Sequence, residues 1–202
     1  MPNADALPLP SPTLTAVLFG LSGCLVDFGA QTHRAPERAH SHATPGALEA
    51  LGNLQHQGVP CAWLDELPGD ISQQLAAALP RWIQPTIATP TQWPAPDACW
   101  QALMALNVTR LDGCVLVSGE PRLLQSGLNA GLWTIGLASC GSLCGLAPAE
   151  WQALSLQERE LKRGRATMQL FGLGVHSVID HLGELSTCLA DIGLRRQKGE
   201  KP

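Results

Sequence analysis

The sequence predicts an α/β fold, three layers deep, with helices on both faces of a central parallel sheet. Two observations carry that prediction. Short apolar runs without polar alternation recur along the chain, as strands buried on both faces do. Each run is followed by a stretch with helical spacing, in units of about 30 residues, the length of a right-handed strand–helix–strand crossover.

Residues 1–13 are rich in proline and read as a loose lead-in. Thr15–Leu21 (TAVLFGL) is the first buried strand, and the turn LSGCLVDFG follows it. In TPGALEALGNLQHQG, Leu48, Leu51 and Leu54 stand at helical spacing, with Pro45 early and Gly58 at the end, so a helix is expected. Val59–Leu64 is the second strand, and DISQQLAAALPRWI carries a helix cut by Pro80. A weak strand is expected near Pro85–Ala88, then a helix over Pro94–Val108. Gly113–Gly119 is the clearest strand of the second half and Pro121–Gly131 its clearest helix; Leu132–Ala138 is a strand after it. The charged stretch AEWQALSLQERELKRGRATMQLFGLG is helical, and the short apolar VHSVID precedes a final helix. This order gives one Rossmann-like domain over 14–193, with 194–202 as a charged tail.

Hydrophobic residues make up 45% of the 202 residues, charged residues 15%, and the net charge is -4, which is globular rather than disordered. Such mild acidity exerts no general pull toward nucleic acid or an anionic membrane. The N-terminal MPNADALPLPSPTL lacks the basic region and apolar run of a signal peptide, and no uncharged stretch is long enough to span a bilayer. A cytoplasmic location is therefore expected. Seven scattered cysteines read as small buried side chains. Cys140 and Cys144 form a C-x3-C pair, a zinc or redox site only if other ligands join them.

Parallel α/β sheets bind ligands at the carboxyl ends of their strands, here Gly20–Cys24, Leu64–Glu66, Trp93 and Ser118–Leu124. Those places carry a family likeness. Ala16–Ala30 (AVLFGLSGCLVDFGA) resembles the first motif of haloacid-dehalogenase-superfamily enzymes, especially phosphonoacetaldehyde hydrolases: a hydrophobic strand, Asp-x-Asp-Gly-Thr, then Val-Asp-Phe-Gly. WPAPDACWQALMALNV resembles the third motif, a Lys or Arg followed by Pro-x-Pro and a helix. Val115–Leu137 resembles the fourth, Gly-Asp and a second Asp followed by Asn-Ala-Gly and an aromatic-Thr-x-Gly strand; Gly172–Leu185 is similar to the closing strand and helix. The likeness runs from residue 15 to 192 and implies a haloacid-dehalogenase-like fold.

It also implies a chemistry that the matching residues do not supply. The nucleophilic aspartate falls on Gly20, the acid/base aspartate on Ser22 and the motif threonine on Cys24. The second-motif Ser/Thr falls on Leu64, the third-motif cation on Trp93, and the fourth-motif aspartates on Gly119 and Leu123. A glycine cannot attack phosphorus. Mg²⁺, the ion the resemblance implies, needs hard oxygen ligands that these positions lack, so no cofactor is expected. The phosphonoacetaldehyde branch adds a Schiff-base lysine on a helical cap inserted after the first motif. Here only sixteen residues separate Asp27 from Thr44, and the lysines (Lys162, Lys198, Lys201) all lie in the last third, so the cap is expected to be absent or reduced to 30–44.

Several other residues could carry chemistry or serve ordinary structure. Asp27 reads as a turn-capping residue. Ser22, Gly23, Asp65 and Glu120 could meet a ligand, although acids at loop tips are commonplace. Cys24 sits at a strand-to-helix turn but has no histidine near it in sequence. His33, His40 and His42, with Glu37, could hold zinc or nickel. His176 and His181 read as structural, Trp93 and Trp133 as packing, and ERELKRGR (158–165) as a solvated helix face. The expectation is a non-catalytic pseudo-hydrolase acting by binding or by oligomerisation, through an unknown protein partner or a second copy. The alternatives are a hydrolase with repurposed residues and a sensor of a small anionic ligand at the loop amides around Gly20 and Gly119.

Overall fold

A computed structural model describes residues 14–35, 41–86 and 91–202. Six strands form one parallel sheet in the order β3-β2-β1-β4-β5-β6. They are β1 (Ala16–Gly20), β2 (Cys61–Leu64), β3 (Gln84–Pro85), β4 (Cys114–Ser118), β5 (Trp133–Leu137) and β6 (Ser177–Ile179). The order reverses beside β1, so the crevice between the carboxyl ends of β1 and β4 is the place where such sheets receive ligands.

The helices α1 (Ala47–His56), α2 (Gly69–Ala76) and α7 (Leu185–Gln197) cover one face; α3 (Asp97–Ala105), α4 (Pro121–Asn129) and α6 (Leu156–Leu173) cover the other, and the short α5 (Pro148–Ala153) precedes α6. Alternate strand residues feed the two layers. Val17, Phe19, Val115, Val117, Trp133 and Ile135 pack toward α1 and α7, whereas Ala16, Leu18, Cys114 and Leu116 pack toward α3. Every residue of β1, β2, β4 and β5 is buried, which is why these strands read as unbroken apolar runs.

Two helix boundaries differ from expectation, and α1 shows a buried face that its leucine spacing does not give. In α1 the buried face is Ala47, Ala50, Leu51 and Leu54, and Leu48 points to solvent at 51% exposure. The charged helical stretch is two helices, because Ser155 interrupts it: the Ser155 hydroxyl accepts the Glu158 amide at 3.3 Å and the Glu158 carboxylate accepts the Ser155 amide at 2.8 Å. At the C-terminus α7 runs to Gln197, into the stretch read as a tail. Its last turn is held by Arg195, which donates to the His176 carbonyl, and by Arg196, paired with Asp112 at 2.9 Å. The weak third strand is present as Gln84–Pro85; the expectation beyond Thr86 lies outside the described residues. No described helix is long and apolar enough to cross a membrane.

Candidate functional site

The crevice between β1 and β4 brings together most of the positions singled out in the sequence, and it is filled. Gly20 ends β1 on the α3 side of the sheet. A Cβ there would lie 2.7 Å from the Ser118 Oγ and 3.3 Å from a Leu123 methyl, so neighbours occupy the space of the missing side chain. Leu64, Trp93 and Leu123 are all buried and belong to one apolar cluster with Leu18, Leu116 and Cys99. Three positions that the family pattern makes polar are thus parts of one hydrophobic plug. Around Gly119 the packing is main chain on main chain: a Cβ at 119 would collide with the Gly141 Cα and the Gly23 carbonyl. The loop after β5 is tied down there by the Ser142 amide, which donates to the Gly119 carbonyl at 3.2 Å.

The candidate ligand residues are engaged in the same closure. Ser22 is buried and donates to the Asp27 carboxylate at 2.7 Å. Asp27, at φ 55°, also accepts the Gln31 and Thr32 amides at 3.2 and 3.0 Å, so it caps a short 3-10 turn, as its place in the motif suggested. Gly23 is buried against Ala30 and Cys140. Glu120 caps α4 by accepting the Arg122 amide at 3.2 Å, ahead of Pro121. Backbone and side-chain atoms thus pack closely around Gly20, Gly23 and Gly119.

Asp65 is different. Its side chain is 2% exposed, one oxygen accepts the Glu66 and Leu67 amides, and the other has no partner among the described residues. His33 Nε2 stands 3.6 Å from it. Burial pushes the carboxyl from an ordinary 3.8 up to about 6, against the pull of His33 and the two amides. Sequence spacing gave no sign of this pairing, since 32 positions separate the partners.

The cysteines do not form a reactive centre. Cys24 is fully buried, and its thiol is pushed well above its ordinary pKa, first by burial and then by Cys140 beside it. Burial likewise lifts Cys140 to about 12 and raises Cys144, whose Sγ donates to the Ala138 carbonyl. Among the described residues no three His, Cys, Asp or Glu side chains come together to hold a metal ion. Of the histidine trio, His33 faces Asp65 and His42 lines a separate cleft; His40, like Glu37, lies outside the described residues. His176 stacks on Trp133 and accepts the Thr134 amide at 3.0 Å, and His181 accepts the Gly183 amide, both structural placements. The ERELKRGR face is more than solvated: Arg163 reaches Asp180 after β6 at 2.5 Å.

The open cavity lies beside the filled crevice, toward β5 and β6. It is a cleft of about 810 Å³ between the Asp27–Gln31 turn, residues 42–45, the loop after β5 with α5, and the first half of α6. Its aromatic wall is Phe28 and Trp151, with ring centres 6.2 Å apart. Nothing in the sequence shows that these residues meet, because they come from distant segments with no shared motif.

A doubly wound parallel sheet with its switch-point crevice between β1 and β4, and an aspartate-capped turn after β1, defines the class. No protein-family model matches the chain. Comparison with known proteins is more specific. A phosphonoacetaldehyde hydrolase of Klebsiella pneumoniae subsp. pneumoniae is 29% identical over 164 residues, which are 78% of this chain and 61% of the relative. One solved structure is 64% identical, covers 94% of the chain and all of its own, and superposes with a TM-score of 0.92. A phosphonoacetaldehyde hydrolase-like protein from Oleispira antarctica is 22% identical, with 95% and 97% coverage and a TM-score of 0.86. The chain therefore takes the haloacid-dehalogenase-like fold and resembles phosphonoacetaldehyde hydrolases in sequence. It spans about three fifths of the length of the curated relatives it matches, 61%.

Proposed function

We propose that this chain is a non-catalytic member of its superfamily that acts by binding or by oligomerisation. The observation that supports the reading is the plug: Leu64, Trp93 and Leu123 pack together beside Gly20, in the space a nucleophile, a cation and a metal-binding carboxylate would need. The residues present do not fit Mg²⁺. Gly20, Gly119 and Leu123 bring no side-chain oxygen, and the Ser22 hydroxyl is committed to Asp27. The Schiff-base route of the branch has no lysine to use, since Lys162 lies in α6 and Lys198 and Lys201 follow α7. The decisive experiment is turnover of p-nitrophenyl phosphate and of phosphonoacetaldehyde with Mg²⁺, against a heat-inactivated control. No release above the control is expected; release abolished by EDTA would overturn the proposal.

One observation favours a second reading, a hydrolase with repurposed residues. Asp65 has an unpartnered oxygen, a raised pKa and a histidine at 3.6 Å, the equipment of a general acid or base. Ester or phosphodiester hydrolysis that disappears in Asp65→Asn and in His33→Ala would establish it.

A further inference from the structure

The cleft beside the plug contains a cation without a counter-charge. Arg159 is half-buried in its wall, and its guanidinium is fixed by two main-chain acceptors, the Leu154 carbonyl at 3.1 Å and the Gln152 carbonyl at 2.6 Å. Among the described residues no carboxylate lies within ion-pair distance of it. The other charged lining side chains already have partners. Arg163 is held by both Asp180 and Glu160, and the Asp27 carboxylate is turned inward to Ser22 and the turn amides. His42 and His181 complete the polar lining.

The rest of the lining is largely apolar, with Phe28 and Trp151 facing each other at 6.2 Å and Pro148 and Leu156 beside them. A cleft of about 810 Å³ lies within the range of small-molecule sites, about 300–1,000 Å³. We propose that it binds a small monocarboxylate carrying an aromatic or branched apolar body, the carboxylate on Arg159 and the body against Trp151 and Phe28. The preorganised guanidinium supplies a charge-assisted hydrogen bond at little ordering cost. Charge count argues against a dianion: Asp180 and Glu160 together exceed Arg163 by one negative charge, so a doubly charged phosphate monoester meets repulsion that a monoanion largely avoids. This assignment rests on the binding reading above and names its ligand class.

Calorimetric titration of the whole chain with 3-phenylpropanoate, 3-phenylpropanol and phenyl phosphate tests it. Saturable binding of the carboxylate is expected, at least about tenfold tighter than the alcohol or the phosphate. Arg159→Gln should weaken the carboxylate by about tenfold or more while leaving the alcohol unchanged, and Trp151→Ala should weaken both. Arg159→Lys, which keeps the charge, serves as the reference should the glutamine variant unfold, and is expected to retain part of the affinity. No saturable heat with the carboxylate, tighter binding of the phosphate, or indifference to Arg159→Gln would overturn the assignment. The turnover assay runs separately: phosphatase activity would remove the non-catalytic reading, whereas a blank titration of an inactive protein removes only the ligand assignment.

Discussion

Arg122, in the first turn of α4, donates to the carboxylate of Glu66, in the loop after β2, at 3.0 Å. The same pair holds the main chain of Trp93 between them, since Glu66 accepts the Trp93 amide at 2.5 Å and Arg122 donates to the Trp93 carbonyl. The clasp therefore fixes the indole over Leu64 and Leu123. Arg122 is largely solvated, so the ion pair itself contributes little; the loss of its donor to Trp93 matters more. Arg122→Ala is expected to cost about 1–2 kcal/mol in urea unfolding, and Arg122→Gln, which removes the charge but keeps an N–H donor, is expected to cost less.

The plug is also the most sensitive part of the core. Trp93→Ala empties a buried indole from a cluster that includes Leu64, Leu123 and Leu132, and about 3–5 kcal/mol of stability should go with it. Trp93→Lys is expected to be worse, because the ammonium would enter an apolar cluster while the Glu66 carboxylate beside it is already held by Arg122 and the residue-93 amide. Urea midpoints of the two variants give the comparison.

Restoring the missing nucleophile should not restore chemistry. In Gly20→Asp the new Cβ meets the Ser118 Oγ at 2.7 Å, and the carboxylate is driven into the Leu123 side chain. We expect a loss of about 2–4 kcal/mol and no phosphatase activity. Ser118→Ala in the same chain relieves part of the steric cost, and activity should still be absent.

Asp65 sets a pH dependence whose sign is fixed by the direction of its shift. Its folded pKa of about 6 exceeds the ordinary 3.8, so the folded state holds the proton more tightly. Its contribution to stability is then complete below 3.8 and is lost as the pH rises through about 6. Asp65→Asn, neutral throughout, should be more stable than the parent at pH 8 by about 1–2 kcal/mol and equal to it near pH 3.5. His33→Ala removes the partner at 3.6 Å and should destabilise the chain only while Asp65 is present. Paired urea melts across pH 3.5–8 decide both.

The buried thiols predict slow labelling. Cys24 lies wholly inside the β1 turn and Cys140 is raised to about 12, so neither offers a thiolate to iodoacetamide at pH 8. Mass spectrometry should show both unmodified in the folded chain and alkylated in 6 M guanidinium.

The fold was legible because its strands carry no polar alternation: Ala16–Gly20 and Cys114–Ser118 are buried on both faces and look so in the sequence. Gly20, Trp93 and Gly119 are placed as motif positions only through the scaffold residues around them in the sequence. The leucine spacing marked the helix but not its buried face, because Ala47 and Ala50 share that face with Leu51 and Leu54 while Leu48 is exposed. The break before α6 had a readable signal in Ser155 and Glu158, a capping pair hidden inside a charged run. Nothing local announced the Asp65–His33 pair or the Arg159 cleft. Both depend on chain segments that meet only when the sheet has formed.

The three glycines at 23, 119 and 141 come from turns after three different strands and touch through bare backbone. No single substitution at 119 or 141 can add a side chain there without first prising two loops apart. A carboxylate at 119 would thus need a second, accommodating change in the facing loop, so the two loops can diverge in sequence only together.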